Sequence, residues 1–98
     1  MRYANVLCYV ADSDAVAAAR PVHRACMADL KRQGKLAAGG PFDDLTGALF
    51  IYEAESVEEA ERFAAEDPYT HAGLIKEHTI RPWRLIYSNP SLLAQPPE

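Results

Sequence analysis

Two segments of this chain are strand-like and apolar on both of their faces, and that pattern limits the folds open to it. Residues Tyr3 to Val10 are rich in β-branched and aromatic side chains and run into the turn-forming Asp12-Ser13-Asp14, which predicts a first strand. Alternation sets Val6, Cys8 and Val10 against Tyr3, Leu7 and Tyr9. A further strand is expected over Thr46 to Ala54, with Leu49 and Ile51 on one side and Ala48, Phe50 and Tyr52 on the other. An antiparallel strand with one wet face should alternate apolar with polar. These do not, so both faces of the sheet need a cover.

The remaining segments supply only half of that cover. An Ala-rich helical stretch from about Ala15 to Gln33 stops at Gly34, the residue type expected just past a helix end. Pro21 lacks a backbone donor, so the main helix should begin near it and the preceding turn should be a separate or kinked piece. Lys35 to Pro41 reads as a short second strand that forms a hairpin with the third across Asp43-Asp44. Ser56-Val57-Glu58-Glu59 has the capping-box pattern, in which Ser56 and Glu59 satisfy each other's free amides, and opens a second helix to about Glu66. Asp67-Pro68 pairs an N-cap candidate with a first-turn proline and predicts a short third helix over Tyr69 to Leu74, before a last strand over His78 to Tyr87. The order β-α-β-β-α-β predicts an α+β, ferredoxin-like fold: two main helices on one face of a four-stranded antiparallel sheet. The opposite face is expected to meet the same sheet of a second copy, giving a homodimer joined through its sheet faces, a dimeric α+β barrel. Left bare, that face would be an aggregation hazard.

With 98 residues, 49% of them hydrophobic, the chain has material for one core, expected over residues 1–88 and followed by an irregular, proline-containing tail over 89–98. A formal charge of −4 and scattered basic residues argue against nucleic acid as a partner. The apolar run from Val6 to Val10 is too short for a membrane span or a signal segment and meets Asp12 and Asp14 at once, so a cytoplasmic protein is expected. Cys8 and Cys26 form no C-x-x-C pair and read as free thiols.

Val16, Ala19, His23, Met27 and Leu30 fall on one helical stripe, which aims His23 at the middle of the face that packs on the sheet. Such a histidine is either a core residue with its ring nitrogens satisfied or a general acid or base in a partly dry pocket between helix and sheet, its tautomer fixed by a carboxylate. Arg20, one turn earlier, is either an anchor for an anionic ligand group or a solvated arginine near a helix start. Asp67 has a full structural explanation as a helix cap, which does not prevent it from also presenting an oxygen to an imidazole. His23, His71, His78 and Asp67 could be imagined around a metal, but their spacing fits no metal motif, and no metal or cofactor is expected.

Arg20-Pro21-Val22-His23, Gly34-Lys35-Leu36, Gly39-Gly40-Pro41, the run from Phe50 to Ala60, Asp67-Pro68-Tyr69, Ala72-Gly73 and His78 to Trp83 together resemble the YciI-like (YCII-related) family. The resemblance covers nearly everything from the first strand to the last, and its specificity lies in the order and separation of the R-P-x-H and D-P-Y-x-x-A-G elements. It implies the ferredoxin-like fold, the barrel dimer, and an active site in which His23 pairs with Asp67. It also implies that Gly40 and Pro41 shape the pocket floor, and it adds Tyr69 and His78 to Arg20 as candidate substrate contacts. The loop between Pro41 and Thr46 is short beside some relatives. Proteins of this fold include muconolactone isomerases and a chlorohydroxyquinol dehydrochlorinase, which move protons on oxygenated rings. The function expected from the resemblance is therefore a cofactor-independent lyase or isomerase acting on a small cyclic or aromatic acid. The alternative is a non-catalytic small-ligand-binding or accessory module.

Overall fold

The computed structural model describes residues 1–95. In chain order the elements are β1 (Arg2–Tyr9), α1 (Ser13–Arg32), β2 (Leu36–Pro41), β3 (Gly47–Glu53), α2 (Val57–Ala65), α3 (Pro68–His71) and β4 (Ile75–Trp83). The four strands form one antiparallel sheet in the order β2-β3-β1-β4. That is the expected ferredoxin-like α+β arrangement, with the two doubly apolar strands at its centre.

Register decides which residues face the helices. Asn5 lies opposite Phe50 on one side and Ile80 on the other, and Leu7 lies between Ala48 and His78. Directly paired residues share a face, so Tyr3, Asn5, Leu7, Ala48, Phe50 and Tyr52 all point to the helical layer, where each is buried. The core gathers all of these but Asn5 with Met27, Ala60 and Phe63 from α1 and α2. A smaller cluster of Val16, Tyr69 and Leu74 joins α1 to α3. α1 packs toward β2 and α3, and α2 packs toward β4.

The other face carries Ala4, Val6, Leu49 and Ile51, and within the single chain Val6 and Leu49 remain exposed. The helices cover one side of the sheet, as the strand pattern requires, and leave an apolar side open. No helix of the described residues is long and apolar enough to cross a membrane.

Several expected boundaries shift for identifiable reasons. α1 is one helix, with Pro21 inside it rather than at its start. Proline removes the bond to the carbonyl four residues back, that of Ala17, but Ala17, Ala18 and Pro21 all face solvent, so water can serve that carbonyl. The N-terminus of α1 is fixed instead by Asp12, whose Oδ1 accepts from the Ala15 amide at 3.0 Å. β4 begins at Ile75 and ends at Trp83, not at His78 and Tyr87, because its ladder follows β1, which offers partners only from Tyr9 to Arg2. At α2, Ser56 Oγ accepts from the Glu59 amide at 3.1 Å, while Glu59 reaches back to the amide of Glu55, one residue earlier than the reciprocal box requires. Of the expected tail, residues 96–98 lie outside the described residues, and the preceding stretch from Arg84 contains no helix or strand.

Candidate active site

Asp67 stands at the junction of α2 and α3, where chain geometry and side-chain chemistry coincide. It is the N-cap of α3, with extended backbone and Pro68 in the first turn, and its Oδ1 accepts from the Tyr69 amide at 2.8 Å. The same oxygen lies 2.9 Å from His23 Nδ1. The cap and the imidazole partner are thus one atom. Both side chains are buried, with 7% of His23 and 4% of Asp67 exposed.

That contact assigns the histidine's two nitrogens. A carboxylate only accepts, so Nδ1 carries the proton, and in the neutral ring Nε2 keeps its lone pair. Among the described residues Nε2 has no hydrogen-bond partner, and it is not one of the sealed polar atoms. Tyr69 stacks on the imidazole, with centroids 4.1 Å apart and planes 15° from parallel, and Phe50 approaches it at 5.6 Å. The ring is clamped by aromatics, oriented through Nδ1 and left free to accept a proton at Nε2.

Around this pair the sequence candidates separate. Arg20 is half-buried one turn before His23. Burial pushes the Tyr9 phenol up to about 12, aided by Tyr69 and Asp67, while the Arg20 guanidinium opposes the rise. Tyr9, whose ring meets Tyr69 edge-on at 5.3 Å, therefore belongs to the same neighbourhood, although sequence reasoning read it only as a strand residue. Gly40 pairs with Leu49, which belongs to the open face, and Pro41 pairs with Ala48. The glycine whose missing side chain matters to the ring cluster is Gly39, because a Cβ there would run into the Phe50 ring that packs on His23. Nothing in an isolated Gly-Gly pair distinguishes the two positions; only the register does.

His78 forms a second pair, with Nε2 3.0 Å from Glu61 Oε2 at the surface of α2. It also lines a cavity of about 10 Å³ together with Asn5, Leu7, Tyr52, Ala64, Asp67, Thr70 and Ile75. That volume admits about one water. The expected pocket between helix and sheet is, on this side of the pair, too small for a ring-sized acid. His71 is exposed, and among the described residues no three His, Cys, Asp or Glu side chains converge as a metal site would need.

Comparison with known proteins finds relatives of this chain. The model of the YCII-related domain matches residues 1–84. The chain is 39% identical over 56 residues to the uncharacterized protein YjpA of Bacillus subtilis, spanning 57% of this chain and 65% of that protein. It is 31% identical over 78 residues to protein YciI of Escherichia coli, spanning 69% and 80% respectively. Among solved structures, 5-chloro-2-hydroxyhydroquinone dehydrochlorinase (TftG) from Burkholderia phenoliruptrix AC1100, in complex with 2,5-dihydroxybenzoquinone, is similar with a TM-score of 0.76 and 30% identity. That match covers 86% of this chain and 94% of the other.

Proposed function

The chain belongs to the YCII-related family, and from that premise we propose that it is a cofactor-independent enzyme that moves a proton on a small cyclic or aromatic acid, as a lyase or an isomerase. The observation that carries the reading is the buried 2.9 Å contact between His23 Nδ1 and Asp67 Oδ1, which leaves Nε2 unpartnered among the described residues.

In this reading Nε2 takes a proton from a carbon or hydroxyl activated by the ring's own oxygens. The resulting imidazolium is stabilised by Asp67, and Nε2 returns the proton elsewhere on the substrate or releases it as an anionic group departs. Arg20 anchors the substrate's carboxylate or phenolate, and Tyr69 holds the imidazole plane. The dehydrochlorinase with its bound dihydroxybenzoquinone supports the substrate class, since such a ring is planar, oxygenated and readily loses protons.

A panel of small cyclic acids and phenols, screened first by the rise in melting temperature that native-state binding produces and then for turnover, tests the proposal. His23→Ala is expected to bind the ligand and to lose turnover by at least about a hundredfold, the range of general acid–base catalysis. A wild-type protein that binds members of the panel and turns over none of them is instead a ligand-binding module.

The dimer belongs to the same proposal. The face bearing Val6 and Leu49, 38% and 37% exposed, is covered in this reading by a second copy. Sedimentation as a dimer at micromolar concentration, and as a monomer for Leu49→Asp, is the expected outcome.

A further inference from the structure

Asn5 is the anomaly of the central strand. It is 1% exposed, in the middle of β1, on the face otherwise given to Tyr3, Leu7 and Tyr9. Its Nδ2 donates to Tyr52 Oη at 3.2 Å. Its Oδ1 is the one sealed side-chain polar atom among the described residues that has no hydrogen-bond partner. A buried amide oxygen without a partner forfeits its hydration with nothing in return, so an unpaired oxygen in the core calls for a partner that protein atoms do not supply.

The cavity beside it is of the right size, although Oδ1 is closed to a water-sized sphere as placed, so the amide has to turn slightly to meet a water there. Its volume of about 10 Å³ and its lining by Asn5, Tyr52 and Asp67 put three polar side chains around space for one water. Asp67 Oδ1 is taken by His23 and the Tyr69 amide, while Oδ2 has no partner among the described residues. Tyr52 Oη accepts from Asn5 and still has its own proton to give. Thr70 and His78, also at the cavity, are occupied by the Ala64 carbonyl and by Glu61.

We propose that one ordered water fills this cavity and bridges Asn5 to Asp67, making Asn5 a positioning residue for the His23–Asp67 pair. The water donates one hydrogen to Asn5 Oδ1 and the other to Asp67 Oδ2, and accepts from Tyr52 Oη, three bonds in all, the usual number for a buried water. Turning the Asn5 amide over preserves the bridge: Tyr52 then donates to Oδ1, and Nδ2 faces the water. The carboxylate is held from both ends, by the imidazole and α3 at Oδ1 and by the sheet through water at Oδ2. The proposal deepens the enzymatic reading above and rests on it only for the effect on turnover.

A high-resolution crystal structure of the wild-type protein tests the site directly. Density for a water within hydrogen-bonding distance of Asn5 and Asp67 is expected, and an empty cavity overturns the proposal whether or not any substrate is known. The positioning role is tested by Asn5→Leu and by the smaller, strand-favouring Asn5→Val, which keeps the fold accessible to measurement if the leucine variant does not fold. In either variant the His23 Nδ1–H proton resonance is expected to shift and to exchange faster with solvent, and kcat to fall about tenfold with KM unchanged, the scale of one hydrogen bond to a charged group. Folded variants whose His23 resonance matches wild type overturn the positioning role. Loss of stability alone, with resonance and kcat unchanged, does the same.

Discussion

The His23–Asp67 and His78–Glu61 pairs have nearly equal N···O separations, 2.9 and 3.0 Å, and opposite surroundings. His23 and Asp67 are almost wholly enclosed, and the aspartate oxygen serves a helix N-terminus at the same time. In the other pair the side chains are 38% and 49% exposed. Water competes for every bond of the surface pair and for few of those in the buried one, so equal geometry gives unequal consequences. The buried pair has its tautomer, ring plane and direction fixed by several partners. The surface pair can dissolve into solvent without disturbing the core.

The comparison breaks most readily at Asp67. Asp67→Ala removes the cap of α3 and the partner of His23 together, and is expected to destabilise the fold by about 3 kcal/mol, the sum of a lost N-cap and a buried hydrogen bond. Urea denaturation of the variant beside wild type measures it, and a cost under about 1 kcal/mol would contradict the view that one oxygen does both jobs.

Raising the pH probes the same layer through Tyr52, whose phenol burial pushes up to about 12 from 10. Between those values the unfolded chain releases its proton first. The folded protein then holds more protons, and stability falls as pH rises through the window, by up to about 2 kcal/mol. Below pH 10 this group contributes no pH dependence. Tyr52→Phe is expected to lessen that alkaline decline, leaving the part that the raised Tyr9 phenol contributes, while adding a constant loss from the orphaned Asn5 amide, which denaturation midpoints taken across the window would reveal.

The smallest effect belongs to the surface. Glu61→Gln should change stability by no more than about 0.5 kcal/mol, as exposed ion pairs generally do. A larger loss would mean that His78 supports the cavity beside Asp67, and the contrast between the pairs would need redrawing.

Much of this arrangement was legible in the chain. The order of elements along the chain, the helix face that carries His23 and the capping role of Asp67 follow from local patterns, because alternation, 3.6-residue periodicity and cap chemistry act over a few neighbours. The match of the R-P-x-H and D-P-Y elements to the family pointed to the pairing of His23 with Asp67 across 44 residues, which periodicity alone does not supply. Pro21 lies inside α1 where the local pattern predicts a start, because proline's penalty depends on whether the orphaned carbonyl meets water, and exposure is not a local property. Gly39 and Gly40 are indistinguishable until β2 is paired with β3. Asn5 carries a local signal of its own, a polar residue at an inward position of an otherwise apolar strand.

By itself, the sequence determined that this chain builds a sheet apolar on both faces, covered by helices on one, with a histidine aimed at the interior. Those are statements about period and side-chain type, which short-range geometry enforces. Only the tertiary structure decided that a single aspartate oxygen both caps a helix and orients that histidine, that Tyr69 lies flat against the ring, and that the space beside them has room for about one water. Those outcomes depend on how separate elements meet at ångström precision, and register and close packing set them after every local preference has been met.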